Sequence, residues 1–267
     1  MLIARIIKTG SVPYKALDKA FSLLDEFIKY KPELFFGFWC IMLAGANVAR
    51  ESLDRWFYWD FGAFPAGQAL VFVVVTVILW MLSRFSIIPS KIENLKSGLI
   101  IGILGFVLFT IGTLNIGFKF SYYIPGLVYL ILFLAVWIVF SIPINVADNG
   151  NKSVPGKKDQ FIYLSIAFLF TTAAMISGYL LDDPIVSTAA VIYLPFLLIT
   201  LVFPAHLRHI QRARLYGIFI PAMLLATRFP WFLLPLSITF WGLRYYYYFR
   251  RGIIHPTFKI DLDAKQD

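Results

Sequence analysis

The chain has 267 residues, of which 60% are apolar and only 15% charged, whereas a soluble domain is about 45–50% apolar and about 25% charged. No water-soluble core can hide that many apolar side chains, so a soluble globular fold is excluded and an all-α bundle in lipid is expected. The net charge of +9 does not mark a nucleic-acid face, because the basic residues lie between the apolar runs and not on one polar surface.

The opening residues, MLIARIIKTG, have too short an apolar stretch for a secretory signal and lack a small-residue cleavage site, so no processing is expected. Residues 1–32 read as a separate element. In SVPYKALDKAFSLLDEFIKYKP, Leu17, Phe21, Leu24 and Ile28 share one helical face and charged residues the other. Ser11 and Pro13 mark a helix start, and Pro32 the point where the first span takes over. The pattern predicts an amphipathic helix over 14–30, lying on the cytoplasmic leaflet with its basic residues near anionic lipid. A helix packed on the protein's own loops is the alternative.

Apolar runs near the roughly 20 residues that cross ~30 Å of hydrocarbon fall at 34–49, 66–83, 98–117, 123–145, 161–181, 186–204, 213–227 and 229–248. The last two are parted only by Arg228 and the Phe229-Pro230 step, so two spans and one kinked helix over 213–248 are both open. Alternating eight spans from an inside N-terminus puts 20 of the 24 basic residues in the cytoplasm and leaves only Arg50, Arg55, Lys119 and Arg228 outside. That division is what the positive-inside rule requires. It predicts a bundle over 33–250, a cytoplasmic tail over 251–267, and both termini inside.

Within the runs, ionisable groups are scarce, which argues against a proton or ion pathway. Asn47, Gln68, Thr110 and Asn115 are expected to make interhelical hydrogen bonds, and Gly98, Gly102, Gly105 and Gly112 to permit close helix packing. The single Cys40 leaves no disulfide or cysteine metal site. His206 and His209, beside Arg208, Arg212 and Arg214, suit headgroup contact better than a metal, which needs three or four ligands. Asp182 and Asp183 read as a capped, solvated turn ending at Pro184. No P-loop, GxGxxG or HExxH pattern occurs.

Two segments, YKPELFFGFWCIMLAG at 30–45 and RFPWFLLPLSITFWGLRYYYYFRRGIIHPTF at 228–258, with LDDPIVSTAAVIYLPFLL at 181–198, resemble the opening, closing and late helices of UbiA-type membrane prenyltransferases, in particular divergent bacterial members. The resemblance implies a bacterial inner-membrane protein whose two cytoplasmic loops hold Mg²⁺ and a prenyl diphosphate. Several carboxylates neutralise such a leaving group through the metal. In RFSIIPSKIENLKSG, Asn94 and Lys96 match the end of the first motif, with Glu93 the available carboxylate. Ile87 and Lys91 stand where aspartates belong. In IPINVADNGNK, Asp148 matches the last aspartate of the second motif and Lys152 the following base, with Ile144 at the first aspartate position. Glu93 and Asp148 are thus the candidate metal ligands. Asn94, Lys96, Lys152, Arg208, Arg212 and Arg214 form a candidate rim for an anion or diphosphate.

The expected function is a catalytically degenerate UbiA-like protein that binds membrane lipid or an isoprenoid, as a possible subunit of a membrane complex. The rival readings are an active prenyltransferase, with Glu93 and Asp148 on Mg²⁺ and Lys96, Lys152 and Arg208 around the diphosphate, and a transporter or flippase.

Overall fold

The computed structural model describes residues 2–30, 32–50, 66–114, 117, 119–142, 145–146, 152–153, 157–207, 210 and 214–253. The N-terminal arm comprises α1 (Leu2–Ile6), α2 (Val12–Phe21) and α3 (Asp25–Lys29). Ser11 caps α2, its hydroxyl accepting the Tyr14 N–H at 3.4 Å, and Pro13 occupies the first turn, where its missing donor costs nothing. The expected helix over 14–30 is not continuous. At Ser22 the hydroxyl donates to the Lys19 carbonyl at 2.7 Å, a local competitor of the helical ladder, and residues Ser22–Leu24 tighten into a 3₁₀ turn.

The bundle follows as α4 (Phe35–Ala49), α5 (Ala66–Arg84), α6 (Leu95–Leu114), α7 (Tyr123–Ser141), α8 (Lys157–Leu180), α9 (Pro184–Val202), α10 (Arg214–Arg228) and α11 (Leu233–Arg251). Among the described residues, five stretches are long and apolar enough to cross a membrane: Gly67–Arg84, Leu95–Leu114, Phe120–Ser141, Gln160–Leu180 and Pro184–Val202. Between α10 and α11 the chain makes a 3₁₀ turn over Pro230–Phe232, so 213–248 holds two helices. Between α7 and α8, Asn145–Val146 pairs antiparallel with Lys152–Ser153.

Side-chain contacts set the helix directions. Phe38 meets Phe133 and Trp137, while Asn47 reaches Tyr129, so α4 and α7 are antiparallel. Trp39 donates to the Thr76 hydroxyl at 3.0 Å and Tyr30 packs on Trp80, so α5 runs back toward the arm. The Ile92 N–H donates to Ser141 Oγ at 2.7 Å, and Gln160 Nε2 to the Pro204 carbonyl at 3.2 Å; each bond joins the start of one helix to the end of another. Arg50 donates to the Arg228 carbonyl at 3.2 Å, so α4 and α10 end together.

Helix α4 is the hub, buried at every residue but Asn47. Its 15 residues span roughly 22 Å at 1.5 Å per residue, less than the hydrocarbon thickness, which is admissible because protein surrounds it. It crosses α6 at backbone contact: a methyl on Gly112 would run into the Met42 carbonyl oxygen, and one on Gly45 into that of Phe109. Only glycine allows that approach. On the lipid side, Leu70, Val73, Val77, Leu99, Ile103, Leu169 and Leu198 are exposed, as acyl chains demand of a membrane surface.

The arm lies across the end of α11. Phe21 stacks on Phe249 at 5.4 Å between ring centroids, Tyr14 packs edge-on against Tyr248 at 5.6 Å, and Tyr248 Oη donates to the Ile7 carbonyl at 2.5 Å. Arg250 pairs with both arm aspartates, Asp18 at 2.5 Å and Asp25 at 2.7 Å, and Tyr246 Oη donates to Asp25 at 2.8 Å. The hydrogen bond from Arg250 holds the Asp25 carboxyl below its ordinary range. Leu17 and Phe21 are half-buried and Ile28 buried. The predicted apolar stripe is therefore turned largely onto the protein.

Gly112→Ala is expected to lower the thermal unfolding midpoint of the purified protein, with a penalty of at least about 1–3 kcal/mol from overpacking. Gly102→Ala, where a methyl meets nothing within 4 Å, should be neutral or slightly stabilising. Differential scanning fluorimetry of the two variants measures the contrast.

Candidate functional site

Small residues on one face of α4, Gly37, Cys40 and Ala44, leave a cavity of about 50 Å³ against α7, α9 and α10. Tyr129, Leu132, Phe133 and Val136 close it from α7, Ile185, Val186 and Ala189 from α9, and Pro221 and Leu225 from α10. The walls are almost wholly apolar and the cavity is partly open. Pro221 lies inside α10 and cannot donate to the carbonyl four residues earlier, which loosens the helical ladder beside the cavity.

Tyr129, in the cavity wall, also belongs to a polar cluster built from three helices. The turn between α8 and α9 places Asp182 in the left-handed region, at φ 58°, which aspartate tolerates better than most residues. A Cβ on Gly178 would collide with Val186 and the Ser187 backbone, so the hairpin closes tightly. Asp183 then caps α9: its Oδ1 accepts the N–H groups of Ile185 at 2.9 Å and Val186 at 3.3 Å. Its charge faces the positive end of the helix dipole. The other carboxylate oxygen accepts the Tyr129 hydroxyl at 2.7 Å, and Asn47 Nδ2 donates to Tyr129 Oη at 3.4 Å. Close by, the Arg50 guanidinium lies 4.5 Å from the Phe229 ring centroid, a cation–π contact. The Tyr129 oxygen keeps acceptor capacity for a ligand hydroxyl or N–H.

The sequence marked the capped turn at Asp183 but not its bond to Tyr129, which is 54 positions away. Of the four polar residues expected to bond between helices, Asn47 does. Thr110 instead donates to the Phe106 carbonyl of its own helix at 2.9 Å. Gln68 is buried, its Oε1 without a partner, and Asn115 lies outside the described residues.

The residues named for anion and metal binding are placed as follows. Glu93, Asn94 and Lys96 are exposed at the start of α6. There Asn94 Oδ1 accepts the Ser97 N–H at 2.9 Å, and Ser97 Oγ accepts the N–H groups of Glu93 and Asn94 at 3.0 and 3.1 Å. Asn94 is thus a helix cap. Lys152 sits in the short antiparallel pair opposite Val146, and Arg214 is the first residue of α10. Asp148, Arg208, His209 and Arg212 lie outside the described residues. Among the described residues no three His, Cys, Asp or Glu side chains converge, and Glu93 is an exposed carboxylate.

No family model matches the chain, and neither the curated proteins nor the solved structures give a match.

Tyr129→Phe removes the hydroxyl shared by Asp183 and Asn47 and is expected to destabilise the protein by about 1–3 kcal/mol, the penalty for an unsatisfied buried polar group. With Asp183→Asn the two losses should be non-additive. A double-mutant cycle on thermal unfolding checks the coupling.

Proposed function

We propose that this chain is an eight-span integral membrane protein, with both termini in the cytoplasm, that holds the tail of a lipid or isoprenoid in the α4/α7/α9/α10 cleft. The alternating helix directions and the 20-to-4 division of basic residues support the topology. The observation that carries the ligand is the apolar, partly open cavity of about 50 Å³ with Tyr129 in its wall. An engineered 150 Å³ apolar cavity admits one benzene, so this cleft holds only a few carbons. The rest of the ligand must lie outside it, as with a chain entering sideways from the bilayer.

Prenyl transfer is the weaker reading. It needs converging carboxylates around Mg²⁺, and Glu93 stands exposed with Asn94 engaged in capping α6. The bundle is best read as a UbiA-like ligand holder acting without that chemistry, within the inner membrane and in reach of membrane-protein partners.

A diazirine-bearing isoprenoid alcohol, photolysed in nanodiscs containing the protein, tests this by mass spectrometry of the adducts. Adducts are expected on Phe35–Ala49 and Pro184–Val202, and Ala44→Phe, which fills the cavity, should remove most of them. Adducts spread over the exposed faces of α5 and α8, unchanged in Ala44→Phe, would contradict the proposal.

A further inference from the structure

The arm has two faces of opposite character. Its inner face, Tyr14, Leu17, Phe21 and Ile28, rests on the bundle, and Arg250 engages Asp18 and Asp25 there. Both of these acids are half-buried against the bundle, and Glu26 is the exposed acid among the described arm residues. The outer face of α2 carries Val12, Lys15 and Lys19 at spacings of three and four, close to one helical stripe, and Leu23 follows in the 3₁₀ turn. Val12 is 82% and Leu23 84% exposed. Lys8, Lys15, Lys19 and Lys29 are exposed as well.

We infer that this outer face binds the headgroups of anionic phospholipid, in a manner independent of the cleft. The charge complementarity comes from folding: the pairs with Arg250 turn Asp18 and Asp25 toward the bundle, so the described outer surface of the arm sets exposed Lys8, Lys15, Lys19 and Lys29 against exposed Glu26. Two further features select a lipid leaflet over an acidic protein. The lysines are interleaved with fully exposed aliphatic side chains, which dip below headgroups while the ammonium groups stay at phosphate level. The surface also continues along the same end of the bundle, where Arg84, Lys91 and Lys96 are exposed beside Phe85 at 71% and Ile87 at 48% exposure. The face that meets the membrane is thus not the Leu17, Phe21, Leu24, Ile28 stripe but the one opposite it.

The test uses the full chain in nanodiscs of phosphatidylcholine, with and without phosphatidylglycerol, read by hydrogen exchange over residues 12–29. Exchange is expected to slow in the anionic discs, to recover in high salt, and to lose about fivefold of the effect per lysine removed in Lys15→Ala and Lys19→Ala. Unchanged protection of the bundle amides shows that these variants fold. Equal exchange in both discs would overturn the inference, as would a phosphatidylglycerol effect that survives in the double variant. Slowing by inorganic phosphate in neutral discs, equal to that of phosphatidylglycerol, would assign an anion site and overturn the lipid assignment.

Discussion

Two glycines, Gly45 and Gly112, let the backbones of α4 and α6 touch, and the bundle is arranged around that contact. In lipid, no hydrophobic force drives one apolar helix against another, so association depends on how closely surfaces fit. At a crossing this tight, α4 loses its lipid exposure and becomes the buried axis on which α7 and α10 also pack. Trp39 extends the axis outward to Phe72 at 4.9 Å and Phe232 at 6.2 Å, joining α5 and the start of α11. The cleft follows from the same economy of side chains. Where Gly37, Cys40 and Ala44 face α7 and α9 instead of another close backbone, their small size leaves space.

The two ends of the bundle hold their charges differently. At the Asp183 end, the half-buried carboxylate accepts two backbone N–H groups and the Tyr129 hydroxyl. At the arm end, Arg250 bridges Asp18 and Asp25 with both acids about two-fifths exposed. Exposed pairs of that kind contribute little to stability. Their consequence lies in orientation: together with the Phe21–Phe249 stack they decide which face of α2 meets the protein. The first helices are thereby fastened to the last, at a sequence separation of 232 for Asp18.

Apolar runs made the helices legible. The predicted runs 66–83, 186–204 and 213–227 lie within a few residues of Ala66–Arg84, Pro184–Val202 and Arg214–Arg228. Where a run overshoots, a local device ends the helix: the predicted 123–145 stops at Ser141, whose hydroxyl turns back to the Trp137 carbonyl at 2.8 Å and accepts the Ile92 N–H. Long-range pairing was not legible. The spacing of Leu17, Phe21, Leu24 and Ile28 reveals an apolar face but not whether lipid or α11 covers it. Asp183 before Pro184 reads as a cap from sequence alone, yet its partner Tyr129 is one tyrosine among fourteen. The spacing of Gly37, Cys40 and Ala44 on one face of α4 was the available signal for the cleft; a predicted span of ordinary apolar residues concealed it. At the start of α6, Asn94 caps the helix by accepting the Ser97 N–H, a role that the residue type alone makes legible.

The proposed topology puts the arm and the Lys91 end of the bundle on one side of the membrane and the turn before α7 on the other. Labelling single cysteines at Lys15, Lys91 and Ser121 with a membrane-impermeant maleimide measures this, against a background in which Cys40 is buried. In intact cells labelling is expected at Ser121 alone, and in inverted vesicles at Lys15 and Lys91 alone. Labelling of Lys15 and Ser121 from the same side would contradict it.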